Sequence, residues 1–578
     1  PIMRDHIADV EIIKTAVGRK NPVGRTFAAN CLRDELTRIL QPLNEIRILE
    51  NKATTNDNVK LFLGVPSDAP KSVKDFVFSQ QKANLGKNVT IIANEGKNFY
   101  FAGSPEFKTV GEDKGIMNGI LDFLEGNFGL IWPRNESVRR NLKDTVYIKK
   151  IYNRDLGEDV DLKWGASWVV VPKIDNWGFS NGTEEFSYFN RANYHGCWYG
   201  PDAFNYSSYR VWAANHWFGF GAGKNENEKW GLVKGKRLRP GCYTSTPCLI
   251  NVLEDGKLAF LKDRGSIKAL AHLPDNNPYY KRYNDDSVAC WIEDTWNTCE
   301  CQKCQKPFRL PDGSLITKDD PDFRAEATYV NANAYLQMVR TYFNRDSELN
   351  YLIYFYTIPV PRTPVSRYVR AHFCPYVRVN YDIPIYAPVN DKFWRVIVQW
   401  GQVARSMGVS EYFLGGNFRP SADVQALDIK AYTQVGVKFF GQETETLEGS
   451  FAEMWCANRS IYLGECDPDN VRAYYCKRVF GEAAEKMYTF FAKLRALRYT
   501  EYRDTDFEET GWSELGRLAI KTPSEKWGCD NLAEELDKLI EKAYKQTEDD
   551  VQAHFFVGKV RAFWKWYYAN AKKPKVGF

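Results

Sequence analysis

The chain has 578 residues, too many for one simple core, so several folding units are expected. Apolar residues at 44% and charged residues at 26% stand near ordinary globular usage, which excludes wholesale disorder and fibrous repeats. Lys plus Arg exceed Asp plus Glu by only 78 to 73, a net +5 that lacks the concentrated positive charge of a nucleic-acid binder.

Residues 1–20 carry charges throughout and lack the apolar centre of an export signal. Because the chain begins at Pro1, an export leader is read as already removed. That points to a periplasmic or extracellular setting, with cytoplasmic as the alternative. An amphipathic helix is expected through Ala29, Leu32, Leu36, Ile39 and Leu40, whose spacing makes one apolar stripe. Strands are expected at 60–64, 89–93 and 99–103, then a helix carrying Ile116, Ile120, Phe123 and Leu124. Together these read as an α/β unit over residues 1–145.

From residue 160 to 455, short apolar strands alternate with helical patterns. Strands are expected at 194–199, 211–220, 287–294, 351–356, 377–383, 411–415 and 435–441. Helices are expected at 324–344, 391–406 and 423–433. Strands apolar on both faces and separated by helices imply a parallel sheet with helical cover. This length of alternation suits a (β/α)8 barrel. An open doubly wound sheet is the alternative, although no G-x-G-x-x-G opens a helix here. Residues 456–578 read as helical, with stripes Leu532, Leu536, Leu539, Ile540, Ala543 and Phe556, Val560, Phe563, Trp564, Tyr567; Thr547 and Asp550 form a capping pair between them. The expected fold is thus α/β: an N-terminal α/β accessory domain, a central (β/α)8 TIM-like barrel and a C-terminal helical domain. No apolar run reaches the roughly 18 residues needed to cross a membrane.

In such a barrel, chemistry sits at the carboxyl ends of the strands. This filter selects Glu293 and Asp294 in CWIEDTW, Asp382, and Glu443 and Glu445 in GQETE. Glu411 is set aside because it would begin its strand. Trp217, Trp291, Trp296 and Tyr356 offer flat faces near those ends, and His195 and His216 could bind hydroxyls or carboxylates. Paired carboxylates beside aromatic platforms suit glycosidic-bond cleavage, in which one group protonates the leaving oxygen and the other activates water or attacks carbon. The strand ending at Gly416 and Asn417 offers no acidic group, and Asn417 joins the substrate-binding set with Glu445. The expected mechanism is therefore inverting, or assisted by the substrate's own acetamido group. Glu293 or Asp294 would be the acid, and Asp382 or Glu443 the base.

The chain carries no H-E-x-x-H, G-x-S-x-G or P-loop pattern. Its 13 Cys are an odd and mostly scattered set, which does not read as a disulfide framework. The exception is C-E-C-Q-K-C, in which Cys299, Cys301 and Cys304 can converge on one tetrahedral metal. Cys242, Cys248 and Cys290 are candidates for a fourth ligand, Cys242 being preferred. A structural zinc is the expected ion, with disulfides or uncoordinated thiols as the competing readings. No cofactor is expected for catalysis, and oligomeric state is not legible.

GIMNGILDFLEGNFGLIWP (115–133) resembles the end of the accessory domain that precedes the barrel in family 20 hexosaminidases and family 67 α-glucuronidases. DSVACWIEDTWNTCECQKC (286–304), with YLIYFYTIPVP (351–361) and FGEAA (480–484), resembles the bacterial domain-of-unknown-function family 4838. The resemblance implies a three-part, glycoside-hydrolase-like architecture of bacterial origin. Family 20 enzymes carry an adjacent Asp-Glu pair after the fourth strand; here the order is reversed, as Glu293-Asp294. The substrate expected is a glycan: Lys234–Arg239, Arg362 and Arg367 near barrel loops suit a uronic or sulfated sugar, whereas a neutral or N-acetylated one would be held by Asn, Trp and Tyr contacts, the cations then being solvated surface charges. A non-catalytic carbohydrate-binding barrel is the alternative.

Overall fold

The computed structural model describes residues 1–15, 23–85, 87–104, 111–134, 158–179, 191, 230–241, 287–290, 292, 296–342, 348–375, 378, 383–414, 421–444, 451–464, 467–502 and 532–571. The expected strands at 194–199 and 211–220 lie outside them. The fold is mixed α/β.

The first unit opens with a short antiparallel pair, β1 (Met3–Arg4) and β2 (Ile7–Ala8), and continues through β3 (Val10–Lys14), α1 (Val23–Leu40), β4 (Arg47–Glu50), β5 (Val59–Leu63), α2 (Lys71–Ala83), β6 (Thr90–Glu95), β7 (Asn98–Gly103), α3 (Gly111–Phe128) and β8 (Trp168–Val170). Apart from β1 and β2, its strands form one sheet in the order β4-β3-β5-β7-β6-β8. Pairing is parallel from β4 to β7 and antiparallel on both sides of β6. Strand β5 is buried at every position, as expected of an inner strand covered on both faces. One face meets α1 and α3 through Leu32, Leu36, Ile116 and Ile120. The other meets α2 through Val73 and Val77, one helical turn apart, over the stacked rings of Phe62 and Tyr100. Strand β3, VEIIK, is not among the strands that the sequence predicts. Its Glu11 is buried all the same, accepting from Lys60 Nζ at 2.9 Å, from Thr54 Oγ1 at 2.8 Å and from Arg47 Nη2 at 2.5 Å. Burial raises the Glu11 carboxyl, but the bonds from Lys60 and Thr54 outweigh it and hold the group down at about 2.

The second unit runs through β9 (Asp175–Phe179), the hairpin β10 (Trp230–Val233) and β11 (Lys236–Gly241), β12 (Ser287–Cys290), the hairpin β13 (Phe308–Arg309) and β14 (Leu315–Ile316), α4 (Phe323–Tyr342), β15 (Glu348–Ile353), β16 (Val369–Phe373), α5 (Asp391–Val403), β17 (Ser406–Leu414), α6 (Ala422–Gln434) and β18 (Val437–Thr444). Its main sheet has the order β12-β15-β16-β17-β18-β9, and every pair in it is parallel. The earliest strand, β9, therefore lies beside the latest, β18. Helix α5 packs through Phe393, Ile397 and Trp400, spaced to share one face.

Three expectations are corrected here. The strand between β15 and β17 is VRAHF at 369–373; the alternating VRVNYDI reads as strand in sequence, but Arg378 and Ile383 lie outside any strand. Glu411 does not begin its strand, since β17 starts five residues earlier, at Ser406. Glu443 does not follow β18 but is its penultimate residue.

The last unit is helical: α7 (Phe451–Leu463), α8 (Pro468–Phe480), α9 (Ala484–Tyr502), α10 (Leu532–Gln546) and α11 (Val551–Ala571). Helix α8 shows why these boundaries fall where they do. Asp467 accepts from Asp469 N at its start, Pro468 occupies the first turn, Lys477 and Arg478 stand in the last, and Gly481 follows at φ 51°. Asp550 caps α11 by accepting from Ala553 N at 3.0 Å. Among the described residues, no helix is long and apolar enough to cross a membrane.

Candidate functional site

Because all six strands of the second sheet are parallel, the segments after β12, β15, β16, β17 and β18 leave the sheet at one edge. Those segments carry, in order, Glu293–Trp296, Tyr356, Asp382, Asn417 and Glu445, and Glu443 stands at the end of β18 itself. Glu293, Asp294, Trp291, Asp382, Asn417 and Glu445 lie outside the described residues, as do His195, His216, Trp217 and Cys242.

The described part of this edge has defined chemistry. Trp296, after β12, is 52% exposed and sits edge-on to Phe355, with ring centroids 5.1 Å apart. Its carbonyl accepts from Arg324 Nη1 at 2.8 Å, which fixes the backbone under the ring. Phe355 follows β15 at φ 44°, a left-handed conformation costly for a bulky side chain. What holds it is Thr357, whose Oγ1 accepts from Tyr354 N at 3.0 Å and donates toward the carbonyls of Leu352 and Tyr354, both at 2.7 Å. Tyr356, in the same 3-10 turn, is buried. Strained turns of this kind cluster where a chain must present side chains in a fixed direction.

Within the sheet, His372 Nε2 and Ser410 Oγ share a hydrogen bond of 2.8 Å between β16 and β17. Their neighbours show which face this is. Glu411, next to Ser410, meets Tyr432 on α6, and Gln442 on β18 meets Gln425 on the same helix. Alternation along the strands therefore puts His372 and Ser410 on the face turned away from the helices. Neither residue was singled out by sequence; the signal available was a polar group at an alternate position of a short apolar strand.

The loop after β16 is held by buried charge. Arg378 is fully buried and donates through Nη1 to Glu411 Oε1 at 3.1 Å and to Asp428 Oδ2 at 2.7 Å, and through Nη2 to Ile383 O at 2.5 Å. Asp428 Oδ1 accepts from Ile385 N at 2.7 Å. Burial pushes the Asp428 carboxyl up against the pull of Arg378. The loop is thus pinned at Arg378, Ile383 and Ile385, on both sides of Asp382.

At the starts of α6 and α7, Glu453 Oε2 accepts from Ala422 N at 2.8 Å and from Arg472 Nη2 at 3.0 Å, while Asp423 pairs with Arg495. Burial drives Asp423 up to about 6 despite the nearby Arg495 and Arg472. These carboxylates brace α6 and α7 against α8 and α9. Of the cations considered for an anionic sugar, Arg362 is engaged with Asp320 at 2.6 Å, and Arg367 donates to Tyr368 Oη at 2.5 Å.

Beyond Trp296, the sulfur atoms of Cys299, Cys301 and Cys304 lie within 4.8 Å of one another. They abut the β10–β11 hairpin, where Leu232 N donates to Cys299 Sγ at 3.2 Å and Glu300 N donates to Leu232 O at 2.6 Å.

No protein-family profile matches the chain, and no curated protein does. Solved structures similar to it include the following two. A GH138 enzyme targeting pectin rhamnogalacturonan II has 10% identity and a TM-score of 0.40, with 97% of this chain and 87% of that one covered. The protein CpGH84B has 7% identity and a TM-score of 0.43, with 98% of this chain and 87% of that one covered. Likeness at this level fixes neither architecture nor activity.

Proposed function

We propose that the chain is a glycoside hydrolase whose active site lies at the carboxyl edge of the parallel sheet, closed into a (β/α)8 barrel. The observation that carries the reading is the exposed Trp296, standing on the strained Phe355 turn at that edge. An indole face open to solvent there suits the apolar face of a sugar ring. The parallel pairing of β9 with β18 supports closure, since joining the earliest strand to the latest is how a barrel's ends meet. Glu293 or Asp294 acts as general acid on the leaving oxygen, and Asp382 or Glu443 as base, by inversion or with help from a substrate acetamido group. His372 and Ser410, on the face turned from the helices, would then face the barrel interior. The Arg378 network holds the Asp382 loop in place. The substrate is a glycan.

A glycan-hydrolysis panel tests this, with Asp294→Asn and Trp296→Ala beside the parent. Turnover of at least one glycan is expected. It should fall by about 10²–10⁴-fold in Asp294→Asn if Asp294 is the acid. In Trp296→Ala, KM should rise roughly five- to thirtyfold, the worth of about 1–2 kcal/mol of lost stacking. Binding of glycans without any turnover would replace the enzyme with a carbohydrate-binding barrel. Neither binding nor turnover across the panel would overturn both.

A further inference from the structure

We propose that Cys299, Cys301 and Cys304 hold a zinc ion, and that this metal knuckle anchors the loop leading from β12 past Trp296. The argument begins with distance. Three sulfurs within 4.8 Å of one another fit ligands about 2.3 Å from a common tetrahedral ion, which places them nearly 4 Å apart. The environment suits thiolates rather than thiols. Leu232 N donates to Cys299 Sγ at 3.2 Å, and Cys304 N donates to Cys301 Sγ at 3.5 Å. Backbone N–H groups aimed at sulfur stabilise negative charge on it and orient it toward a metal. Cys301 and Cys304 stand three residues apart in a tight turn, the spacing at which two sulfurs reach one ion from one loop.

Charge agrees with this assignment. Three thiolates on a divalent ion leave one negative charge in excess, and Lys303 and Lys306 of the same turn are exposed beside it. Burial says what kind of site it is. Cys299 and Cys304 are buried and Cys301 is half-buried, so an ion held between them lies mostly out of water, and the metal itself displaces the thiol protons on binding. Thiolate-rich ligation in a mostly dry turn suits a structural zinc, whose tetrahedron a fourth ligand closes.

The position gives the site its use. Cys299 follows the exposed Trp296 by three residues, and the loop is stitched to the β10–β11 hairpin by Glu300 N to Leu232 O at 2.6 Å and Lys234 N to Glu300 Oε2 at 2.7 Å. A bound ion turns that stitched pair of segments into a rigid abutment behind the sheet edge.

The test uses the full chain purified without added metal or chelator, its zinc measured by elemental mass spectrometry. About one zinc per chain is expected, falling below about one tenth in Cys301→Ser, the half-buried position least costly to packing. A readout that needs no variant runs alongside. Parent protein stripped with a chelator and titrated with Co²⁺ should develop thiolate-to-cobalt charge-transfer absorption and the ligand-field bands of a tetrahedral ion, both abolished by equimolar Zn²⁺. Parent protein with under about one tenth of a zinc per chain and no cobalt charge-transfer band would overturn the proposal. So would a disulfide found between any two of the three cysteines in non-reducing peptide mass analysis.

Discussion

Removing the charge of Arg378 is the sharpest perturbation this structure offers. Arg378, Glu411 and Asp428 are all fully buried, and the guanidinium is shared between the two carboxylates at 3.1 and 2.7 Å. Arg378→Met keeps most of the volume but strands both acids in the interior, a change that costs about 3–5 kcal/mol. For a cooperative unit of this size class, that corresponds to a fall in melting midpoint of roughly 6–20 °C. The sign of its pH dependence follows from Asp428, whose carboxyl burial already raises. An acid with a raised folded value favours the fold while protonated and loses that advantage as pH rises through the folded value. Without Arg378 to oppose burial the value climbs further, so the deficit of the variant should be largest near pH 8 and shrink toward pH 5. Melting followed by circular dichroism at both pH values reads the effect, and proteolysis between residues 374 and 390 should speed up because Ile383 O loses its donor. The neutral triple variant R378M/E411Q/D428N keeps an acceptor for Ile385 N while removing the stranded charge, and it should regain about half of the loss. A midpoint within about 2 °C of the parent at both pH values would refute the reasoning.

Two further substitutions probe other parts of the fold. Gly64→Ala should destabilise the N-terminal unit by at least about 2 kcal/mol in urea melts. Gly64 lies at φ 101°, and a Cβ there would stand 2.1 Å from Thr15 Oγ1 and 3.0 Å from the Arg25 guanidinium that binds it. Asp423→Asn should flatten the pH dependence of stability. With the folded carboxyl near 6 and the unfolded one near 4, parent stability should fall by roughly 3 kcal/mol as pH rises through that interval, and the amide removes the slope. Urea midpoints at pH 4, 5, 6 and 7 measure both chains, and a parent midpoint that rises over this window contradicts the assignment.

What could be read from sequence was what is encoded locally. The stripe spacing of Leu32, Leu36 and Ile39, or of Leu536, Ile540 and Ala543, needs no partner to declare a helix, and each of these side chains is buried. The three cysteines are close for the same reason: six residues of chain cannot spread far. Tertiary pairing was not legible. The charged segment VEIIK reads as surface, yet Glu11 finds Lys60 across an adjacent strand and the two enter the core together. VRAHF looks too polar for an inner strand, but Arg370 pairs with Glu348 on β15 and His372 bonds Ser410 on β17, so its polar positions are satisfied from both sides. VRVNYDI, with better strand residues, gives way because Arg378 is taken by Glu411 and Asp428 behind the sheet. In sequence Glu411 reads as a strand start, since Gly408 and Ser410 interrupt the apolar run before it. The parallel neighbour β16 supplies the hydrogen bonds that extend β17 back to Ser406.

The two sheets are joined where the proposed site needs stiffness. Strand β8, the edge of the first sheet, is followed almost at once by β9, so the first sheet feeds directly into the strand that pairs with β18. From the other side, α7 follows β18 and reaches back to α3. Asp122 on α3 accepts from Tyr462 Oη at 2.7 Å, Arg191 Nη2 at 3.0 Å and Trp168 Nε1 at 3.1 Å. Glu125, one turn on, accepts from Arg191 Nη2 at 2.6 Å, Arg459 Nη1 at 2.9 Å and Tyr474 Oη at 2.9 Å. Burial works against ionising Glu125, but Arg191 and Arg459 more than offset it and hold its carboxyl below the usual range. Two buried acids so fully supplied with donors add less net stability than apolar side chains could, because desolvation cancels much of the attraction. They do fix one docking geometry, since any slip of α7 along α3 would strand a charge. The adjacent strands β9 and β18 are therefore tied to the first sheet independently, one through the chain and one through α7. The first unit, which supplies Asp122 and Glu125 to these contacts, contributes no described residue to the edge itself.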